Sequence, residues 1–235
     1  ITYASNCASA CMPYPRSADT YTYDGVDIPE LGSEATAWSP LRPTSYMKNS
    51  VMPSSVQDDR RAINMASSYG EHKFSTTWMG PKFWCPGQYK TQDSNNYKIF
   101  RYADAVLMMA ECWCNAGNYE KALEYLNYTR ARAGVDGYDV SEYPDQNSIM
   151  KLVRDERARE LGGELHRRYD LVRWGIWYKE VTKRQNSGVT ILNNIQPYHE
   201  YYPIPDTQCA LSGYVLNNPE YGFFTGEDGR TGEDE

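Results

Sequence analysis

The chain has few of the residues that carry most enzyme chemistry. Its 235 residues include only three histidines, His72, His166 and His199, and none has the H-E-x-x-H spacing of a metal-binding helix. No G-x-S-x-G elbow and no phosphate-cradling glycine loop occurs. No catalytic residue, metal site or cofactor is therefore expected, and each histidine reads as a solvent-facing surface residue. Basic runs are missing too. Lys and Arg number 24 against 31 Asp and Glu, a net charge of −7, so a nucleic-acid partner is not expected. The longest apolar stretch, "AVLMMA" at 105–110, falls far short of the roughly 20 residues that span a bilayer.

Six cysteines are present, but no paired C-x-x-C framework that would hold zinc. Cys112 and Cys114 are about 200° apart on the helix expected there, so they cannot chelate together and read as small core hydrophobes. Cys7 and Cys11 lie in a loop, where an oxidising compartment would let them pair. No charged and apolar leader opens the chain, and "ASAC" at 8–11 has no apolar run ahead of it, so no signal peptide is expected. Opening on "ITYAS", a short strand, points to a chain cut from a longer one.

What is abundant is punctuation and tyrosine. Residues 1–97 are rich in Pro, Ser, Thr, Tyr and Gly, with turns at "MPYPRS", "IPELGS", "WSPLRP" and "MGPKFWCPG". Short strands such as "ITYA" and a brief helix near "DDRRAINMASS" are the only elements expected there. So long an irregular stretch usually has a task, which makes 1–97 the candidate ligand face.

Residues 98–235 read as helical. In the pair at 101–134, Tyr102, Val106, Met109, Ala110 and Trp113 recur at the helical period, and Gly117-Asn118 supplies the stop and the turn. Tyr119, Ala122, Leu123 and Leu126 begin the second stripe, Arg130 and Arg132 sit in its last turn, and Gly134 ends it. The spacing of Val106, Met109, Ala110 and Trp113, then Ala122 and Leu126, follows the tetratricopeptide pattern. One repeat cannot bury its own faces, so its partners are expected upstream of this chain.

Further helices are expected over 148–182, capped by Asn147 or Ser148, followed by an extended segment at 200–222 held by Pro203 and Pro205 and an acidic tail at 226–235. Ile149, Leu152 and Val153 define the first stripe, and Glu156 and Glu160 fall on its centre. Buried carboxylates need partners, and Arg130, Arg132, Arg167 and Arg173 are candidates. Two glutamates four apart have the spacing of a retaining glycosidase pair, about 5–6 Å. They sit on one helical face and cannot straddle a sugar ring, so a structural ion-pair network is the preferred reading.

Four motifs, in order, give these residues a resemblance. "RYADAVLMMAE" followed by "ALEYLNYTRARAG", then "RDERARELGGELHRRYDLVRWG", "YYPIP" and "LNNPEYG" resemble the SusD/RagB family of outer-membrane glycan-capture lipoproteins. "DDRR" at 58–61 stands where that family often shows D-x-R, so the likeness covers 58–222. Asn217 and Glu220 depart from the family's usual Gln and Gly, Leu165 replaces a common Gly after a Glu, and the E-I-x-x-N after "PIP" is absent. The resemblance implies a mainly α fold with long irregular loops, one tetratricopeptide-type helix pair plus a loop-rich C-terminal part. It implies a protein anchored by lipid to the outer face of the outer membrane, with an anchor cysteine upstream. It also implies a TonB-dependent transporter (SusC-like) as partner, and polysaccharide binding without cleavage.

Sugar recognition needs aromatic faces with polar groups around them. The chain holds 21 Tyr and 6 Trp against 5 Phe, which favours aromatics suited to half-wet surfaces. Tyr14, Tyr21, Tyr23 and Trp38 in the N-terminal segment are the candidate glycan contacts, with Asn6, Arg16 and Asp19 as possible hydrogen-bonding neighbours. Trp78 and Trp84 read as loop packing, and Trp113, Trp174 and Trp177 as core. Two rival readings stand beside capture: a helical scaffold that binds only protein, and a glycoside hydrolase using Glu156, Glu160 or loop aspartates such as Asp19 and Asp24.

Overall fold

The computed structural model describes residues 22–23, 26–27, 43–69, 72–78, 82, 99–183, 195–213, 215–216 and 218–221. The chain divides into two compact units, Ile1–Asp170 and Leu171–Glu235.

The first unit opens on a short antiparallel pair, β1 (Thr22–Tyr23) and β2 (Val26–Asp27). A wide helical turn at Met47–Val51 then leads to α1 (Arg60–Asn64). Between them Val51 and Met52 bury with Met65 in a small apolar cluster, covered by Tyr46, Met47 and Ala158. The expected helix over "DDRRAINMASS" is thus shorter than its sequence suggested. It closes at Asn64, and the chain continues as β3 (Ala66–Tyr69), paired antiparallel with β4 (His72–Trp78). The Ser, Thr and aromatic content of "ASSY" and "HKFSTTW" suits a pleated surface better than a helix.

The helical core is built from α2 (Tyr102–Asn115), α3 (Tyr119–Arg132) and α4 (Gln146–Glu160), each packed against the other two. Gly117, at φ 78°, makes the tight turn, and the Asn118 side chain caps α3 by accepting from Lys121 N at 3.1 Å. Ala110 and Ala122, both fully buried, let α2 and α3 approach closely. Val106, Leu107, Cys114, Leu123, Leu126, Ile149 and Val153 complete the apolar interior.

The inward face of α2 is rotated from the one expected. Tyr102 and Met109 are exposed, Trp113 is half-buried, and Asp104 and Glu111 are buried in their place. Hydropathy alone puts an aspartate outside, but Asp104 meets Arg157 Nη2 at 2.8 Å, and that ion pair draws it inward. Cys112 shares the exposed side, so of the two helical cysteines only Cys114 is a core hydrophobe; burial pushes its thiol pKa up. The cap of α4 is Asp145 and not Asn147 or Ser148. Its carboxylate accepts from the backbone N–H of both, at 2.9 and 3.0 Å.

α5 (Arg167–Arg173) runs across the division, and the second unit continues with α6 (Trp177–Lys183), a turn at Pro197–Glu200 and α7 (Asp206–Leu211). Among the described residues, the segment expected to be extended is so only over 201–205. Pro205 leads into α7 with Asp206 in its first turn, a combination that starts helices as readily as it ends strands. Asn218 holds the extended part in place: its side chain accepts from Ile204 N and donates to Ile204 O, both at 2.8 Å. Trp177 is buried and Trp174 is half-buried, with Arg173 over the Trp174 ring at 4.7 Å. Among the described residues no helix is long and apolar enough to cross a membrane.

Candidate functional site

The densest chemistry in the first unit gathers where α1 meets α4. Glu156 and Glu160 project from one face of α4, 0% and 2% exposed, as the helical period requires. Asp59 N–H donates to Ala133 O at 3.2 Å, which docks the chain ahead of α1 on the end of α3. Arg60 is thereby carried inward. Its Nε and Nη2 hold Asp58 at 2.9 and 2.8 Å, and its Nη1 reaches Glu156 at 2.6 Å and Glu160 at 3.1 Å.

Each glutamate is met from several sides. Glu156 also receives Arg159 at 2.9 Å, Thr129 Oγ1 at 2.9 Å and Arg130 at 3.7 Å. Glu160 also receives Arg101 at 2.7 Å and Arg132. Arg101 forks onto Glu164, with Nε at 2.7 Å and Nη2 at 2.8 Å. Lys82 pairs with Glu164 and donates to the carbonyls of Glu160 and Gly162 at 2.8 and 2.9 Å. Arg130 and Arg132 were legible as partners. Arg167, also named as a candidate, donates to the Arg154 carbonyl at 3.0 Å.

The electrostatics decide what these carboxylates can do. Burial works to raise the pKa of Glu160 and Glu164, yet the Arg101 hydrogen bonds and the surrounding cations hold both below the ordinary carboxylate value. Asp58 behaves likewise through Arg60, while Arg60 itself is pushed further up, against its burial, by Asp58 and Glu156. Lys82 goes the other way: burial lowers it, and Glu164 only partly restores it. A general acid needs a raised pKa and an accessible proton. Glu160 has neither, which favours the ion-pair network over a glycosidase pair.

Two cavities flank the network. One is a cleft of about 470 Å³ lined by Arg60, Ile63, Asn64, Lys82, Arg101, Arg132 and Glu160. The other, about 210 Å³ and mostly apolar, is walled by Met47, Val51, Leu161 and Tyr46, with Arg157 and His166 at its polar edge. Arg157 is committed to Asp104 and Asp170, each at 2.8 Å. His166 is half-buried and not the solvent-facing residue expected, and so is His199, whose Nδ1 accepts from Gln196 N at 2.9 Å. Among the described residues no group of three His, Cys, Asp or Glu side chains is placed to hold a metal ion.

Of the sequence-derived glycan contacts, Tyr14, Tyr21 and Trp38 lie outside the described residues, as do Asn6, Arg16, Asp19, Asp24, Trp84, Cys7 and Cys11. Tyr23 lies in β1, opposite Val26. The described residues show aromatic surface that the sequence reading missed. Tyr102 and Tyr128 meet edge-to-face, 6.2 Å between ring centres, and are 71% and 58% exposed. In the second unit Tyr198, His199 and Tyr221 cluster within 5.4 Å of one another, with Tyr201 and Tyr202 exposed alongside in sequence. The signal for Tyr102 was its place at the rim of a stripe, where hydropathy counts tyrosine as core.

The model of the SusD family matches residues 32–221, most of the chain. This chain belongs to the SusD family. SusD-like protein P25 of Formosa agariphila is 36% identical over 165 residues, covering 68% of this chain and 31% of that protein. The chain thus spans about a third of the length of the curated relatives it matches. A SusD superfamily protein from Bacteroides thetaiotaomicron superposes with TM-score 0.62 at 17% identity, covering 94% of this chain and 43% of that one. Surface glycan-binding protein A from Bacteroides uniformis does so with TM-score 0.56 at 22% identity, covering 93% and 47%. This SusD-family chain therefore has the mainly α fold that its motifs implied, and the "DDRR" and "RDERARE" motifs are the two sides of the Arg60–Glu156 ion pair.

Proposed function

We propose that this chain is the C-terminal part of a cell-surface protein that captures oligosaccharides or polysaccharides without cleaving them. The observation that carries the reading is membership of the SusD family over 32–221, together with a structural relative whose name describes surface glycan binding. The captured glycan passes to a TonB-dependent outer-membrane transporter. The protein sits on the outer face of the outer membrane, held by a lipid on a cysteine upstream of this chain. Tyr14, Tyr21, Tyr23 and Trp38 are the proposed stacking residues. Their support is the need of a pyranose for flat, partly wet aromatic faces.

Affinity electrophoresis of the full chain through gels holding plant, host and microbial polysaccharides tests this. Retardation by one polymer, no release of reducing ends, and loss of retardation in Trp38→Ala or Tyr21→Ala is the expected result. A folded chain that no polymer retards, or that releases reducing ends, would count against capture.

A further inference from the structure

The cleft of about 470 Å³ is lined by four cationic side chains, Arg60, Lys82, Arg101 and Arg132, and by one carboxylate, Glu160. Behind it the connected ion pairs bring six cations, these four with Arg130 and Arg159, against four carboxylates, Asp58, Glu156, Glu160 and Glu164. Among the described residues the network carries an excess of two positive charges. Asp155 also acts on Arg159, but it is itself paired with Lys151 at 2.8 Å and leaves the excess unchanged. The two most exposed cations of the network, Arg132 at 57% and Arg101 at 27%, both line the cleft.

The cations are not equally committed. Arg60 and Arg101 each spread several N–H groups over two or three acidic residues. Arg132 is different. Its side chain is 57% exposed, lines the cleft, and pairs with Glu160 through one nitrogen, Nη2, of a fork that carries five donors. Such a fork matches a planar carboxylate or a sulfate oxygen pair.

We infer that this cleft receives the carboxylate or sulfate group of an acidic polysaccharide, with Arg132 as the gripping residue. The inference rests on the capture reading and names its substrate class. Asn64, at the cleft wall, is buried and donates its amide to Arg159 O at 2.6 Å, so it helps fix the wall rather than meet the ligand. The net charge of −7 opposes general adsorption to a polyanion, so a local site has to supply the attraction.

The test is affinity electrophoresis of the full chain through polygalacturonate, dextran sulfate and unmodified dextran. It is repeated with Arg132→Gln and with Lys121→Gln, an equal charge loss at the opposite end of α3. Retardation by an acidic polymer and not by dextran is expected, weakened roughly tenfold or more in Arg132→Gln and unchanged in Lys121→Gln. Retardation by neutral polymers alone, or equal behaviour of the two variants, overturns the acidic assignment and leaves capture standing. Thermal stabilisation by inorganic sulfate without retardation by either polyanion reduces the cleft to a small-anion site and also overturns it. No retardation by these polymers or by any of the neutral panel removes the capture reading and this inference together.

Discussion

Arg60 Nη1 lies 2.6 Å from Glu156 Oε1, across 96 residues of sequence, and both side chains are buried. That contact ties a five-residue helix in the loop-rich half of the first unit to the longest helix of its core. It also sets the expected cost of disturbing the network.

Arg60→Met leaves Asp58 and Glu156 buried with too few donors. Breaking one side of a buried ion pair costs about 3–5 kcal/mol. Urea unfolding followed by tryptophan fluorescence measures it, and Arg60→Lys, with charge but no fork, is expected to fall between the two. A loss below about 1 kcal/mol would mean that the arginine contributes no more than a surface pair.

Acid is expected to unfold the first unit. Glu160 and Glu164 have folded pKa values held below their ordinary 4.5, and Asp58 below its ordinary 3.8, by guanidinium partners that outweigh burial. Their stabilisation is complete above those ordinary values and is lost as pH falls through the folded ones. Lys82, lowered by burial, has linkage of the same sign, but its stability gain comes as pH rises toward 10.5, a window well above the acid limb. Tm between pH 7 and pH 3 reads this out, and Glu164→Gln should flatten the slope. An unchanged slope in that variant would contradict the assignment.

Leu165 sits at φ 63° and is half-exposed, where the left-handed region suits glycine. Relief of roughly 1–2 kcal/mol of backbone strain outweighs the roughly 0.5–1 kcal/mol of extra chain entropy that glycine brings. Leu165→Gly is therefore expected to stabilise by about 0.5–1 kcal/mol, visible as a rise in Tm. A fall would show that the leucine side chain makes a packing contribution large enough to offset the strain.

In the second unit, Asn218→Ala removes both hydrogen bonds to Ile204 and leaves that backbone unpaired beside the buried Cys209. The expected loss is about 1–3 kcal/mol, with Asn218→Asp intermediate because it keeps the acceptor and loses the donor. Hydrogen exchange at the Ile204 amide should quicken in Asn218→Ala and stay close to the parent rate in Asn218→Asp, which still accepts from that N–H.

How much of this was legible follows from the range of each interaction. The α2–α3 turn, the close approach at Ala110 and Ala122 and the inward Glu156 and Glu160 are local consequences of spacing, and the sequence displays them. The rotation of α2 is not local. Asp104 turns inward because Arg157 waits 53 positions later, and periodicity has no access to that. Arg60, Arg101 and Lys82 reach the glutamates from 59 to 100 residues away, and of the four arginines that could be named, Arg130 and Arg132 meet them. The β3–β4 hairpin lacks a two-residue Asn-Gly signal and hides behind a run that also reads as helix. The exposed tyrosines were misplaced because hydropathy scores the ring and not its surroundings.

The distance in sequence between Arg60 and Glu156 has a consequence during synthesis. A ribosome adds roughly 5–20 residues each second, so Arg60 emerges about 5–20 s ahead of the carboxylate that will neutralise it. Through that interval the guanidinium remains in water, the α1 region has no reason to dock, and the Val51–Met52–Met65 cluster stands open. A chaperone that holds the nascent N-terminal stretch would therefore have to stay until α4 has left the exit tunnel.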